Sequence, residues 1–141
     1  MKAGTDHIGV GCGAFIINDK NEVLLVRRGP QSKNRVGHWT VPGGALDFGE
    51  TFHQAIKREI KEELDVDIEI LDLLSLVDDI LPEENQHWVT PQFLVRIVSG
   101  EPQIMEPEKC DRLQWFSLDN LPEPLTLMTI QAVQAFTARQ K

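Results

Sequence analysis

The chain has 141 residues, 41% of them hydrophobic and 26% charged, with a net charge of −8. That length suits one domain spanning 1–141 with a buried core, and the composition is globular. The acidic balance argues against a nucleic-acid polymer as partner, because binding a phosphate backbone rests on Lys and Arg. Cys12 and Cys110 are too few for a disulfide framework, and no apolar run approaches the ~18 residues of a membrane span. Met1 to His7 lacks the apolar core of a secretory leader, so a cytoplasmic protein with no membrane partner is expected.

Ile8 to Ile17 reads as a strand in which Gly9, Gly11 and Gly13 alternate with Val10, Cys12 and Ala14. Glycines in a strand admit close approach, here either by a ligand base or by neighbouring protein. Asn18 to Asn21 is a turn, and Glu22 to Arg27 returns as a buried strand, completing a hairpin. Arg27, Arg28, Lys33 and Arg35 then form a local basic cluster in an acidic chain. Arg27 and Arg28 are the stronger candidates to hold substrate phosphates, with Lys33 and Arg35 equally readable as a solvated loop. In His38-Trp39-Thr40-Val41-Pro42-Gly43-Gly44, Trp39 is expected in the core. The paired glycines Gly43 and Gly44 allow a tight turn that can present a carbonyl oxygen to a metal, and Gly43 is a candidate substrate contact.

Thr51 and Gln54 have capping-box spacing, so a helix is expected to start at Thr51, and no Gly or Pro interrupts it through Leu64. With Phe52 at zero on a wheel of about 100° per residue, Ile56, Ile60 and Leu64 fall near 40°, 80° and 120°. Glu59 and Glu63 fall near −20° and +20°, against and inside that apolar arc, with Glu62 near −80°. Carboxylates turned toward a core lose hydration and repel one another, so they call for a cation. Oxygen ligands of this kind suit Mg²⁺ or Mn²⁺. The other reading is a charged helix whose acids pair with Lys and Arg in water, and the wheel alone leaves both open.

Val66 to Leu76 is expected as a strand, Asp78 to Gln86 as a polar loop and His87 to Val98 as a further strand. Pro91 within that last strand predicts an edge position or a bulge. Leu113 to Phe116 reads as a short strand, Ser117 to Pro122 as one helical turn, and Leu125 to Gln140 as a C-terminal helix. His38 and His87 have no ligand spacing, so zinc is not supported. No Gly-x-x-x-x-Gly-Lys-Ser/Thr run is present, which excludes a P-loop.

Gly44, Glu50 and the run Arg58-Glu59-Ile60-Lys61-Glu62-Glu63-Leu64-Asp65-Val66 together resemble the Nudix box of the MutT-like hydrolases. The family usually has Gly where this chain has Asp65, a residue that also visits the left-handed backbone wanted at a helix end. The resemblance implies an α/β fold, a single-domain α/β/α sandwich with a mixed sheet between helices. It also implies Mg²⁺-dependent hydrolysis, with Mn²⁺ as an alternative metal, of small nucleotides in which a nucleoside diphosphate is linked to another group. By position in the motif, Gly44, Glu59, Glu62 and Glu63 would be metal ligands, and Glu59 the leading candidate to deprotonate the attacking water. Arg58 would orient Glu62, and Glu50 would support the ligands from near the helix start. Glu108 is the candidate for a further acid outside the box.

Gly-Gly-x-Leu-Asp-Phe-Gly-Glu and Met-Glu-Pro-Glu-Lys-Cys ahead of a Trp look like the nucleotide triphosphate diphosphatase branch, which releases a nucleoside monophosphate and pyrophosphate. The alternatives are an ADP-ribose or nucleotide-sugar pyrophosphatase and, in another class, a non-catalytic nucleotide-sensing module. Substrate choice is expected around Gly9 to Cys12, Arg28 to Gly37, Glu83 to His87 and Pro122 to Leu127. A homodimer through the Pro91 strand is a further candidate partnership.

Overall fold

The computed structural model describes residues 1–32 and 34–140. Its elements are β1 (Gly9–Ile17), β2 (Glu22–Arg28), β3 (Trp39–Thr40), β4 (Gly43–Ala45), α1 (Phe52–Leu64), β5 (Asp67–Leu81), β6 (Gln86–Ser99), β7 (Cys110–Ser117) and α2 (Leu127–Arg139). The strands run β3-β2-β1-β6-β5, with β4 also beside β1 and β7 beside β2. β1 and β6 are parallel and the other pairs antiparallel, so the sheet is mixed.

Period-two alternation divides the core between the two helices. Cys12, Ala14 and Ile16 of β1 and Leu24 and Val26 of β2 pack with Ala55, Ile56, Ile60 and Leu64 of α1. Phe15, Val23 and Leu25 point the other way and pack with Trp39, Ala132 and Phe136 on the α2 side. The expected α/β/α sandwich is the fold observed, and Trp39 is in the core, edge-on to Phe116 at 5.0 Å. No helix of the described residues is long and apolar enough to cross a membrane.

Tertiary pairing overrides local expectation at several places. Gly43 and Gly44 are not a tight turn: they form β4, paired in register with Gly13 and Cys12 of β1. The polar stretch from Asp78 is strand as far as Leu81, because its ladder to β6 continues through Asp78↔Val89 and Leu81↔Gln86. Only Pro82–Glu84 turns, as a short 3₁₀ segment. Pro91 is not on an edge, since β6 lies between β1 and β5. Its missing N–H falls where the β1 ladder has a gap, between Val10↔Val89 and Gly13↔Gln92. With both sides of β6 occupied, that strand cannot take a strand from a second copy.

Ser117 to Pro122 is a hydrogen-bonded turn, Asn120 N–H donating to Ser117 O at 3.0 Å, rather than a helical one. The glycines of β1 admit protein rather than leaving room for a base. A Cβ at Gly9 would meet the Trp88 ring at 2.5 Å, and one at Gly13 the Gln92 side chain at 2.2 Å.

Candidate active site

The helix that carries the acids is fixed at both ends by its own sequence. Thr51 Oγ1 accepts the Gln54 N–H at 3.1 Å while Gln54 Oε1 accepts the Thr51 N–H at 2.9 Å, a complete capping box. Asp65 closes the other end at φ 58°, left-handed as the position requires, its N–H donating to Lys61 O at 3.0 Å. Between these caps the apolar stripe faces the sheet, and Glu59 and Glu63 are drawn in beside it.

Both carboxylates reach β4. Glu63 Oε2 accepts the Gly43 N–H at 3.2 Å. The Gly44 α-carbon lies so close to Glu59 that a Cβ there would sit 2.4 Å from the carboxylate carbon. Burial, then the neighbouring Glu59 charge, raises the Glu63 carboxyl well above the ordinary carboxylate range. Burial also raises Glu59, against the pull of Arg58. Glu62 is more open, its side chain 54% exposed.

Arg58 ties this group together, and its chief partner is not Glu62. Its Nε and Nη2 donate to Glu50 at 2.6 and 2.8 Å, Nη1 to Glu59 at 3.0 Å, and Nη2 also to Ala45 O at 3.2 Å. The contact to Glu62 is longer, at 3.4 Å. Glu62 is one helical turn from Arg58, whereas Glu50 lies before the helix and is brought back to Arg58 by the loop. The Arg58 guanidinium, and after it the Asp47 N–H, hold the Glu50 carboxyl at about 2.

A depressed folded-state value means that Glu50 stabilises the fold above its ordinary value of 4.5 and loses that effect as the pH falls toward about 2. The difference in melting temperature between wild type and Glu50→Gln should therefore be widest at neutral pH and close across that acid window. A gap independent of pH would contradict the Arg58–Glu50 linkage.

Two inward carboxylates and the Gly44 carbonyl form an oxygen donor set that fits a hard divalent cation. That carbonyl faces Cys12 across the β1–β4 ladder and accepts the Cys12 thiol at 3.6 Å. The Gly44 cradle has no Cβ in the way, and Glu63 has a buried charge with one hydrogen-bond donor. In this side-chain arrangement no three His, Cys, Asp or Glu groups converge as a ready ligand cluster among the described residues. Arg58 holds Glu59, and Glu62 faces outward. Cys12 and Cys110 adjoin the same carboxylates. Burial, first, and then Glu59 or Glu63 push their thiols up to about 11 and about 12, so neither is a thiolate nucleophile.

The acid that approaches from outside α1 is Glu106 rather than Glu108. Glu106 and Lys109 line a small cavity of ≈ 10 Å³ with Glu63 and Cys110, and Met105 N–H donates to Glu63 O at 3.0 Å. Glu108 is exposed, and its backbone carbonyl accepts from Gln31 N–H at 3.1 Å. Both residues lie in one short loop with no periodicity to say which turns inward, so only the strand register of β7 separates them.

Of the basic cluster, Arg27 is already engaged: its Nε and Nη2 donate to the two oxygens of Asp111 at 2.8 and 3.0 Å. Arg28 is half-buried and uses Nε on Asn34 O at 2.8 Å. No acceptor among the described residues takes its Nη groups. Arg35 pairs with Asp79, and Lys33 lies outside the described residues.

The NUDIX domain family matches residues 7–136 of this chain. The chain belongs to that family. A crystal structure of a MutT NUDIX hydrolase from Burkholderia pseudomallei superposes with a TM-score of 0.85 at 42% identity, covering 90% of this chain and 96% of that one. The human 8-oxo-dGDP phosphatase NUDT18 is 32% identical over 114 residues, 79% of this chain and 33% of its own length. The Proteus vulgaris 8-oxo-dGTP diphosphatase is 34% identical over 89 residues, 63% of this chain and 74% of its own. The chain thus spans about a third of the first NUDIX relatives it matches, and most of the length of others. The NUDIX segment contains every carboxylate described above.

Proposed function

We propose that the chain acts as one NUDIX domain, a divalent-metal-dependent pyrophosphohydrolase of nucleoside-diphosphate-linked substrates, and most specifically a nucleoside triphosphate diphosphatase releasing a monophosphate and pyrophosphate. The observation that carries this is the pair of inward carboxylates, Glu59 and Glu63, against Gly43 and Gly44. The diphosphatase activity of the Proteus vulgaris relative supports the finer reading.

In this reading Glu59, Glu63 and the Gly44 carbonyl hold Mg²⁺ or Mn²⁺, with Glu62 supplying a further oxygen from the rim. A cation bound there supplies charge neutralisation for the phosphates and for the developing oxyanion. Glu59 takes the proton of the attacking water, its basicity raised by burial. Arg58 keeps Glu59 in one orientation by the 3.0 Å bond to its Oε1. Arg28, with its Nη groups open, grips the phosphates, while Arg27 supports the strand through Asp111. Glu106 assists from the β7 side, facing Glu63.

Gly44→Ala tests the cradle directly. A Cβ would strike the Glu59 carboxylate at 2.4 to 2.6 Å, so Glu59 must swing away. A displacement of about 1 Å at a reacting group costs on the order of 10² in rate. Turnover that survives this substitution would remove Glu59 from the mechanism.

The function itself is tested by product analysis with Mg²⁺ over canonical and oxidised nucleoside triphosphates, ADP-ribose and nucleotide sugars. A monophosphate and pyrophosphate from the triphosphates is the expected result. A monophosphate and a sugar phosphate from the ADP-ribose set would replace the triphosphate reading. Binding without turnover of any substrate would make the domain a nucleotide sensor.

A further inference from the structure

The loop between β2 and β3 is fastened to the β5–β6 hairpin by a well-shielded charge pair. Arg35 Nη1 and Nη2 donate to the two oxygens of Asp79 at 3.0 and 2.7 Å. The two side chains are only 17% and 11% exposed. Asn34 Nδ2 adds a longer bond to Gln86 Oε1 at 3.4 Å. Arg35 itself is held at φ 50°, a left-handed conformation that an arginine adopts at a cost. A solvated loop has no need of either feature. A desolvated fork and an unfavourable backbone together mark a loop whose shape is imposed by its contacts.

What that shape surrounds is Arg28. Its Nε donates to the Asn34 carbonyl, one residue from Arg35, at 2.8 Å. Its backbone N–H donates to His38 O and its carbonyl accepts from Gly37 N–H, both at 2.8 Å. With Nε occupied and no acceptor among the described residues on the Nη groups, the guanidinium has a two-pronged edge to donate to phosphate oxygens.

We propose that Arg35 and Asp79 are positioning residues: their ion pair sets the loop that aims the open edge of Arg28 at the substrate's phosphates. This rests on the reading of Arg28 as the phosphate grip. An arginine fixed before binding loses less side-chain freedom when the phosphate arrives, so the pair acts on affinity and not on the chemical step.

The test uses the full chain with Mg²⁺ and inorganic tripolyphosphate, a probe with no base, followed by titration calorimetry. Arg28→Ala and Asp79→Asn are each expected to weaken tripolyphosphate by about 10-fold, and the double variant to bind no worse than Arg28→Ala alone. Asp79→Glu, which keeps a carboxylate for Arg35, should recover most of the loss. Where Asp79→Asn does not fold, Arg35→Lys replaces it, keeping the charge while losing the fork.

Losses that multiply in the double variant would overturn the inference, because the pair would then act without Arg28. Wild-type binding by Asp79→Asn beside weak binding by Arg28→Ala would also overturn it and leave the Arg28 reading standing. Wild-type binding by Arg28→Ala would remove both.

Discussion

Glu63→Gln is expected to lower turnover by on the order of 10² or more while the fold stays intact. The amide has the carboxylate's shape, and its oxygen can still accept the Gly43 N–H now 3.2 Å from Oε2. What is lost is one negative charge in a site where little water competes. That charge is costly while no metal ion faces it, since burial and the adjacent Glu59 oppose it more than Lys109 offsets it.

The same substitution should therefore separate stability from function. Without added metal the variant should melt at or above the wild-type temperature. Addition of Mg²⁺ should raise the melting temperature of the wild type and leave the variant nearly unmoved. A variant that keeps both wild-type turnover and the Mg²⁺ response would defeat the assignment of Glu63.

Arg58→Ala carries the second large effect, and it should fall on stability and activity together. The guanidinium satisfies Glu50 twice, Glu59 and the Ala45 carbonyl, with side-chain exposures of 18% for Glu50 and 15% for Glu59. Removing it leaves Glu59 without a hydrogen-bond partner and Glu50 with only the Asp47 N–H. The network is partly exposed, so the loss should be well below that of breaking a fully buried ion pair. The melting temperature should drop by several degrees.

Turnover should fall by roughly 10- to 100-fold as Glu59 loses its orientation. Arg58→Lys should land between, because one ammonium cannot reach Glu50, Glu59 and Ala45 O at once. Calorimetric melts and steady-state rates on the same samples decide the matter. An Arg58→Ala protein with wild-type stability would show that the network contributes nothing measurable.

Much of the helix and its acids could be read before any fold was known. The Thr51–Gln54 box, the arc of Ile56, Ile60 and Leu64, and the inward tilt of Glu59 and Glu63 are properties of a 3.6-residue repeat. They depend only on neighbours within one or two turns. Asp65 as the left-handed cap is likewise local. The alternation in β1 and β2 that splits the core between two helices is also set by adjacent positions.

What needed the tertiary structure is every partner distant in the chain. Arg58 turns to Glu50 because the Asp47 to Glu50 loop folds back. Gly43 and Gly44 are strand because β1 offers them a ladder. Glu106 rather than Glu108 lines the cavity beside Glu63, in the turn that leads into β7. Arg27 is taken by Asp111 on the neighbouring strand, while no acceptor among the described residues takes the Arg28 Nη groups. Pro91, read alone, marks an edge or a bulge, yet β6 lies inside the sheet, and the missing N–H falls in a gap of the β1 ladder. The sequence by itself determined the helix, its caps and the side of the wheel on which the acids fall, since backbone geometry and periodicity act over a few residues. Strand order and loop closure decided which charges those acids and arginines meet, because a side chain's partner depends on what the whole sheet brings within about 3 Å of it.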